Sequence, residues 1–242
     1  MYRIRISLPK GQTARYRHLD LLHDALVNAW TATGVPAEEV LGTSARPWNF
    51  AALGWHRGDW SDVHTLVVST PDSDLAMRLP KLEPGQIRQA RASTAELVDF
   101  SAARILPEPD PIPPGKGVLS LLMLAPLAVS IPAKGNKRWH TDLTQIDLAA
   151  VINRRLSQLA GRPVALQAQV DTLYLRANPV HATRIYLKQL PDGRRVFVMG
   201  MRAPLVLAGT EADLRLAWYA GIGEKTRNGF GCLGLLEGGV GR

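Results

Sequence analysis

Residues 221 to 234 read Gly-Ile-Gly-Glu-Lys-Thr-Arg-Asn-Gly-Phe-Gly-Cys-Leu-Gly, so five glycines are interleaved with Lys225, Arg227 and Asn228. Glycine allows left-handed backbone and close approach, which lets a loop turn its N–H groups toward phosphates. Gly221, Gly223, Gly229 and Gly231 are the candidates for that role, and Lys225, Arg227 and Asn228 supply countercharge and hydrogen bonds. Two other phosphate loops are excluded. A Walker loop needs Lys directly after its last Gly, but Glu224 separates Gly223 from Lys225, and Trp218 stands at the first Gly position. A dinucleotide fingerprint fails because Thr226 occupies the third Gly position. The loop also runs from a helix-like segment (210–220) to a strand-like one (230–236), the reverse of the order both motifs require.

Composition points the same way. The 242-residue chain has 29 Lys and Arg against 21 Asp and Glu, a net charge of +8, which favours polyanionic partners. Apolar residues make up 46%, enough for a folded core. The single cysteine, Cys232, excludes an intrachain disulfide framework and a cysteine-based zinc site. His56, His64, His140 and His181 lack metal-ligand spacing, and no cofactor motif is present, so neither metal nor cofactor is expected. No signal peptide and no membrane-length apolar run is read, because the longest, 118–131, is too short and contains Pro126. The expected location is the cytoplasm.

The elements that must position these residues follow from periodicity. Residues 2–8 alternate with period two as a strand, and 15–33 carry an apolar stripe (Leu19, Leu22, Leu26, Ala29, Trp30) as a helix. Segments 48–55 and 63–70 read as paired strands and 72–79 as a short helix. The arginine-bearing 86–103 reads as a further helix. The proline-rich 107–115 is a stiff connector. Beyond it come a strand (118–131), a helix (143–159), a hairpin of 182–189 with 195–207 about Pro191-Asp-Gly193, a helix (210–220) and a last strand. The expected fold is α+β: two tandem ferredoxin-like (RRM-like) halves, 1–115 and 116–242, with a C-terminal glycine-rich loop and a helical basic finger at about 80–104.

Three stretches carry a resemblance: residues 221–231; Leu22-His23-Asp-Ala-Leu-Val-Asn-Ala-Trp30; and Leu175-Arg-Ala-Asn-Pro179. With them the chain resembles the CRISPR precursor-RNA processing endoribonucleases of the RAMP superfamily. The long 78–104 segment is similar to the basic finger of the type IV branch. The resemblance implies metal-independent cutting of the repeat hairpin, leaving 2′,3′-cyclic phosphate and 5′-hydroxyl ends. It also implies a catalytic histidine on the first helix, the repeat RNA as partner, and retention of the guide RNA in a complex with other effector subunits.

Such cleavage needs a base for the 2′-hydroxyl, cations for the phosphorane and an acid for the leaving oxygen. His23 lies at the edge of the apolar stripe; its position fits a core histidine, and the resemblance makes it the leading catalytic candidate. His18, one turn earlier and nearer the polar side, is the alternative base, with Tyr16 and Arg17 beside it. Arg15, Arg88, Arg91, Lys134, Lys137 and Arg138 are candidate RNA contacts, with Trp139 offering a stacking surface. The competing reading is a non-catalytic RAMP-type RNA-binding subunit. A weaker third is an RNA-modifying enzyme.

Overall fold

Ile4 and Ile6 are buried on a strand whose Arg5 and Ser7 are half-exposed, the alternation expected at the amino terminus. In the computed structural model this strand, β1 (Tyr2–Ser7), precedes β2 (Ala14–Tyr16), α1 (Leu19–Ala32), α2 (Ala37–Val40), β3 (Asn49–Arg57) and β4 (Trp60–Thr70). Then come α3 (Ser73–Arg78), β5 (Arg88–Arg91), β6 (Glu96–Asp99) and β7 (Arg104–Pro107). The later elements are β8 (Val118–Met123), β9 (Ser130–Ile131), β10 (Arg138–Trp139), α4 (Leu148–Ala160), β11 (Gln167–Val170) and α5 (Thr172–Ala177). The chain continues through β12 (Ala182–Gln189), β13 (Arg195–Met201), β14 (Leu205–Ala208), α6 (Glu211–Ala220) and β15 (Leu233–Leu235). The structure describes residues 1–42, 44–57, 59–92, 95–132 and 137–237. Among them no helix is long and apolar enough to cross a membrane.

The first sheet is antiparallel with β7 beside β1, β1 beside β4 and β4 beside β3, while β2 adds to β4. The second runs β15-β8-β14-β11, again antiparallel. In each, the strand beginning the unit sits between its last and third strands, the ferredoxin-like order, so the fold is α+β with two such halves in tandem. Four α-helices start on side-chain caps. Asp72, Asp147, Asp171 and Thr210 accept from N–H groups of the first turns of α3, α4, α5 and α6, each worth about 1 kcal/mol.

Four expectations are corrected. The helical finger over 80–104 is a β5–β6 hairpin preceded by two single 3-10 turns. Val98 and Phe100 are buried with Ile87, and this period-two burial overrides the helix propensity of the Arg, Gln and Ala residues. Arg15 and Tyr16 belong to strand β2 rather than to α1, because Ala14 and Tyr16 bury alternately against β4. The hairpin 182–207 does not supply the middle of the second sheet. Among the described strands β12 and β13 pair only with each other, apart from a single bridge of Met201 to Leu127; Pro204 ends the run, and β14 crosses to pair with β8 and the unpredicted β11. Residues 118–131 form β8, a loop and the short β9, not one bent strand.

Apolar packing joins the halves. Trp30, Trp48 and Phe50 share one core with Ala128, Val198 and Phe230, and Ala51, Leu53 and Val67 meet Leu124, Ala125 and Cys232 in another. Arg3, only 1% exposed, reaches from β1 to the Leu233 carbonyl on β15 at 2.6 Å, lies 4.0 Å over the Trp218 ring and pairs with Glu108.

Candidate active site and nucleic-acid interface

Helix α1, the segment after α2, the middle of α4 and the glycine-rich loop converge on an open cleft of about 540 Å³ lined by His23, Arg155, Lys225, Arg227 and Asn228. His23 is half-buried and stacked on Trp48, centroids 5.6 Å apart and planes 19° apart. Its Nδ1 lies 3.0 Å from Asp24 Oδ1. A carboxylate only accepts, so the neutral tautomer that this contact favours has its proton on Nδ1 and a lone pair on Nε2.

The cations opposite are fixed by backbone carbonyls. Arg155 donates to Gly221 O at 2.6 Å, Ala220 O at 3.3 Å and Thr226 Oγ1 at 2.9 Å. Burial, aided by repulsion from Arg227, pulls its pKa down to about 10, so it stays charged at neutral pH. Arg227 donates to Gly42 O at 2.6 Å, while its Nη1 is buried without a hydrogen-bond partner among the described residues. Burial also depresses the Arg227 pKa. No Asp or Glu is among the lining residues. Two arginines and a lysine line one cleft with no acid among its described lining residues, a like-charge arrangement that an anion would relieve.

Three of the four candidate glycines use their amides to build the loop. Gly221, Gly223, Gly229 and Gly231 all have positive φ, and a Cβ on Gly231 would lie 1.8 Å from Ile222 O. The Gly221, Gly229 and Gly231 N–H groups donate to Ala217, Thr226 and Pro126 carbonyls. Those three amides are thus spent inside the protein, and the loop meets the cleft with side chains instead. Lys225 itself sits at φ +59, a left-handed conformation rarely adopted outside glycine. Beside it Glu224 accepts from Lys137 and from Ser130 N–H and Oγ. Burial works against its charge, but these donors outweigh it and hold the carboxyl below its usual range. Lys137 also lies 5.0 Å from the Trp139 ring centroid, and Arg138 is exposed on β10. Lys134 lies outside the described residues.

A second cleft, of about 190 Å³, opens on the other side of Gly229 and is lined by Tyr16, Arg17, Tyr186 and Arg202. Burial pushes the Tyr16 phenol up to about 12 despite its hydrogen bond to Ser61, so it is neutral at physiological pH. Arg17 stacks on Trp60 at 3.8 Å. The expectation that His18 faces the polar side is corrected: it is 1% exposed as the N-cap residue of α1, with its ring 6.4 Å from Tyr186. Burial lowers its pKa more than Glu96 and Asp20 raise it, which leaves a neutral, enclosed imidazole.

The structure therefore brings His23 together with Lys225, Arg227 and Asn228, and sets Tyr16, Arg17 and His18 apart from them. Arg15 pairs with Asp62 at 2.9 Å, Arg88 with Asp99 at 3.3 Å and Arg91 with Asp20 at 2.6 Å. Arg155, Trp48 and Arg202 were not expected from the sequence. Arg155 reads as one charge on the polar face of a helix, and only its loop partners distinguish it.

Residues 108–235 match the family described as CRISPR associated protein Cas6, C-terminal. Among solved structures, the chain is similar to one described as a RAMP protein binding different RNA substrates, at TM-score 0.68 and 17% identity, covering 98% of this chain and 100% of that one. A Cas6-related protein of Pyrococcus furiosus aligns at TM-score 0.66 and 14% identity over 98% of each chain. A CRISPR associated protein Cas6 aligns at 0.63 and 14% over 98% and 99%. No curated protein matches the sequence significantly. With more than half of its length matched by that family and its two ferredoxin-like halves aligning with those structures, the chain belongs to the CRISPR-associated Cas6 family.

Proposed function

We propose that the protein is a metal-independent endoribonuclease that binds the hairpin repeat of CRISPR precursor RNA, through both halves 1–115 and 116–242, and cuts it to guide RNA. The observation that carries this reading is the acid-free cleft in which His23 faces Arg155, Lys225 and Arg227. His23 Nε2 takes the 2′-hydroxyl proton, and the 2′-oxygen attacks the adjacent phosphorus. The phosphorus–O5′ bond breaks, leaving a 2′,3′-cyclic phosphate and a 5′-oxygen that gains a proton. The lining cations Arg155, Lys225 and Arg227 bear the extra negative charge of the phosphorane. Lys137, Arg138, Arg15, Arg88 and Arg91 extend the basic surface along which the RNA backbone runs, and other effector subunits bind the retained product.

The test is cleavage of a labelled hairpin repeat in EDTA by wild type and His23→Ala, with binding measured in parallel. Cutting that is lost in the variant at unchanged affinity supports the reading; cutting that survives in His23→Ala removes His23 from it. The second reading, an RNA-binding subunit without cleavage, draws on one observation: the His23 side chain is 12% exposed, stacked and paired as a structural histidine would be. Binding without cutting by both proteins would establish that alternative.

A further inference from the structure

The second cleft adjoins the first. Leu19 lines it and His23 lines the other, one turn apart on α1, about 6 Å by helix rise. The glycine-rich loop divides them, with residues 225–228 facing the His23 cleft and Gly229 the second. A strand whose phosphate sits at His23 thus has its neighbouring nucleotide at the mouth of the second cleft.

The walls there suit a flat ring rather than a phosphate. Leu19, Ala52, Leu124, Pro126 and Ile185 are apolar and would strip water from an ionised group without replacing it. Around the cleft, guanidinium groups lie over aromatic rings: Arg17 on Trp60 at 3.8 Å, Arg184 on Phe197 at 4.6 Å and Arg195 on Tyr186 at 5.0 Å. Such paired planes are surfaces on which an unpaired base stacks.

One lining group gives direction. Arg202 is half-buried, and among the described residues its guanidinium has no carboxylate partner and no hydrogen bond. Burial depresses its pKa, and only the nearby Tyr16 and Tyr174 phenols oppose that. Asp59 and Ser61 also line the cleft, Asp59 being engaged by Arg195 at 2.9 Å. A donor-only fork left without an acceptor in such a largely apolar slot seeks two acceptors side by side, and among the bases guanine offers that pair in O6 and N7. Adenine places an amino donor where O6 stands.

We propose that the second cleft is a nucleobase pocket for the nucleotide next to the scissile phosphate, and that Arg202 makes it select guanine. This assignment rests on the endoribonuclease reading for its place beside the cut, but not for its chemistry.

The experiment uses the full-length protein and hairpin RNAs in which each nucleotide within two of the 3′ base of the hairpin is, in turn, guanine, inosine, 7-deazaguanine or adenine. Affinity and single-turnover cleavage are both measured. At one position guanine and inosine should behave alike, whereas 7-deazaguanine and adenine should weaken binding or cutting about tenfold. In Arg202→Gln that difference should collapse to about twofold or less. Equal behaviour of all four bases at every position in wild type overturns the pocket. A preference that persists in folded Arg202→Gln overturns the role of Arg202. If the variant does not fold, the wild-type series alone decides the pocket. Base preference in affinity without any cutting leaves the pocket standing and defeats the nuclease reading, whereas cutting without base preference does the reverse.

Discussion

The two clefts on either side of residues 225–229 use the same residue type in opposite ways. In the His23 cleft, Arg155 and Arg227 are held by carbonyl oxygens, with no acid and no ring among their hydrogen-bond partners. In the other cleft, Arg17 and Arg184 lie on aromatic faces among apolar walls. A carbonyl-held arginine keeps its charge uncompensated and suits an anion. A ring-stacked arginine presents a plane and suits another plane. What an arginine does is decided here by what touches it, not by its place in a basic composition.

Breaking one side of that contrast should leave the other intact. The largest effect is expected for His23→Ala, a loss of cleavage of at least about 100-fold with affinity within about threefold, read by single-turnover kinetics. Arg227→Gln should slow cleavage by about 10- to 100-fold. Arg155→Met should do the same through the loop it shapes, with Arg155→Lys restoring part of the rate because the charge remains. If Arg155→Met shifts only the melting temperature and leaves the rate of the folded protein unchanged, Arg155 is a helix cap alone. Trp60→Ala belongs to the second cleft and should weaken RNA binding about tenfold without changing the rate at saturation.

Smaller effects sharpen the same comparison. Inorganic phosphate should raise the melting temperature of wild type above that in chloride at equal ionic strength, and should do so less in Arg227→Gln. The Glu224 clamp has the smallest signature. Its folded pKa is depressed, so its stabilisation is present above pH 4.5 and is lost as the pH falls through the folded value. The stability gap between wild type and Glu224→Gln should therefore narrow on acidification below pH 4.5. A gap independent of pH would mean that Ser130 and Lys137 bind the neutral group equally well.

Much of this architecture can be read from residue order. The repeated strand and helix periodicities lead to two ferredoxin-like halves, and the fourteen-residue run with five glycines marks the wall between the clefts. The basic finger misleads because Arg88, Gln89, Ala90 and Arg91 are good helix formers, while the burial of Ile87, Val98 and Phe100 that makes them a hairpin depends on packing against α1. β11 is hard to see because Gln167-Ala-Gln-Val170 has little apolar signal; its partner β14 supplies the order. His23 is legible as a residue, but its company is not. Arg155 lies 132 positions away in sequence, and Arg202 takes its meaning from two nearby phenols and from having no carboxylate partner among the described residues. Contacts of that kind belong to the assembled molecule.

Arg3 ties β1 to β15. Its Nη2 donates to the carbonyl of Leu233, 230 residues later, and its guanidinium lies over the ring of Trp218. During synthesis the amino-terminal sheet leaves the ribosome with a charged side chain destined for the interior but still missing two of its three partners. The environment of Arg3 is finished only when β15 arrives, so a chain cut short after the glycine-rich loop begins but before β15 leaves β1 with a buried charge short of its Leu233 acceptor.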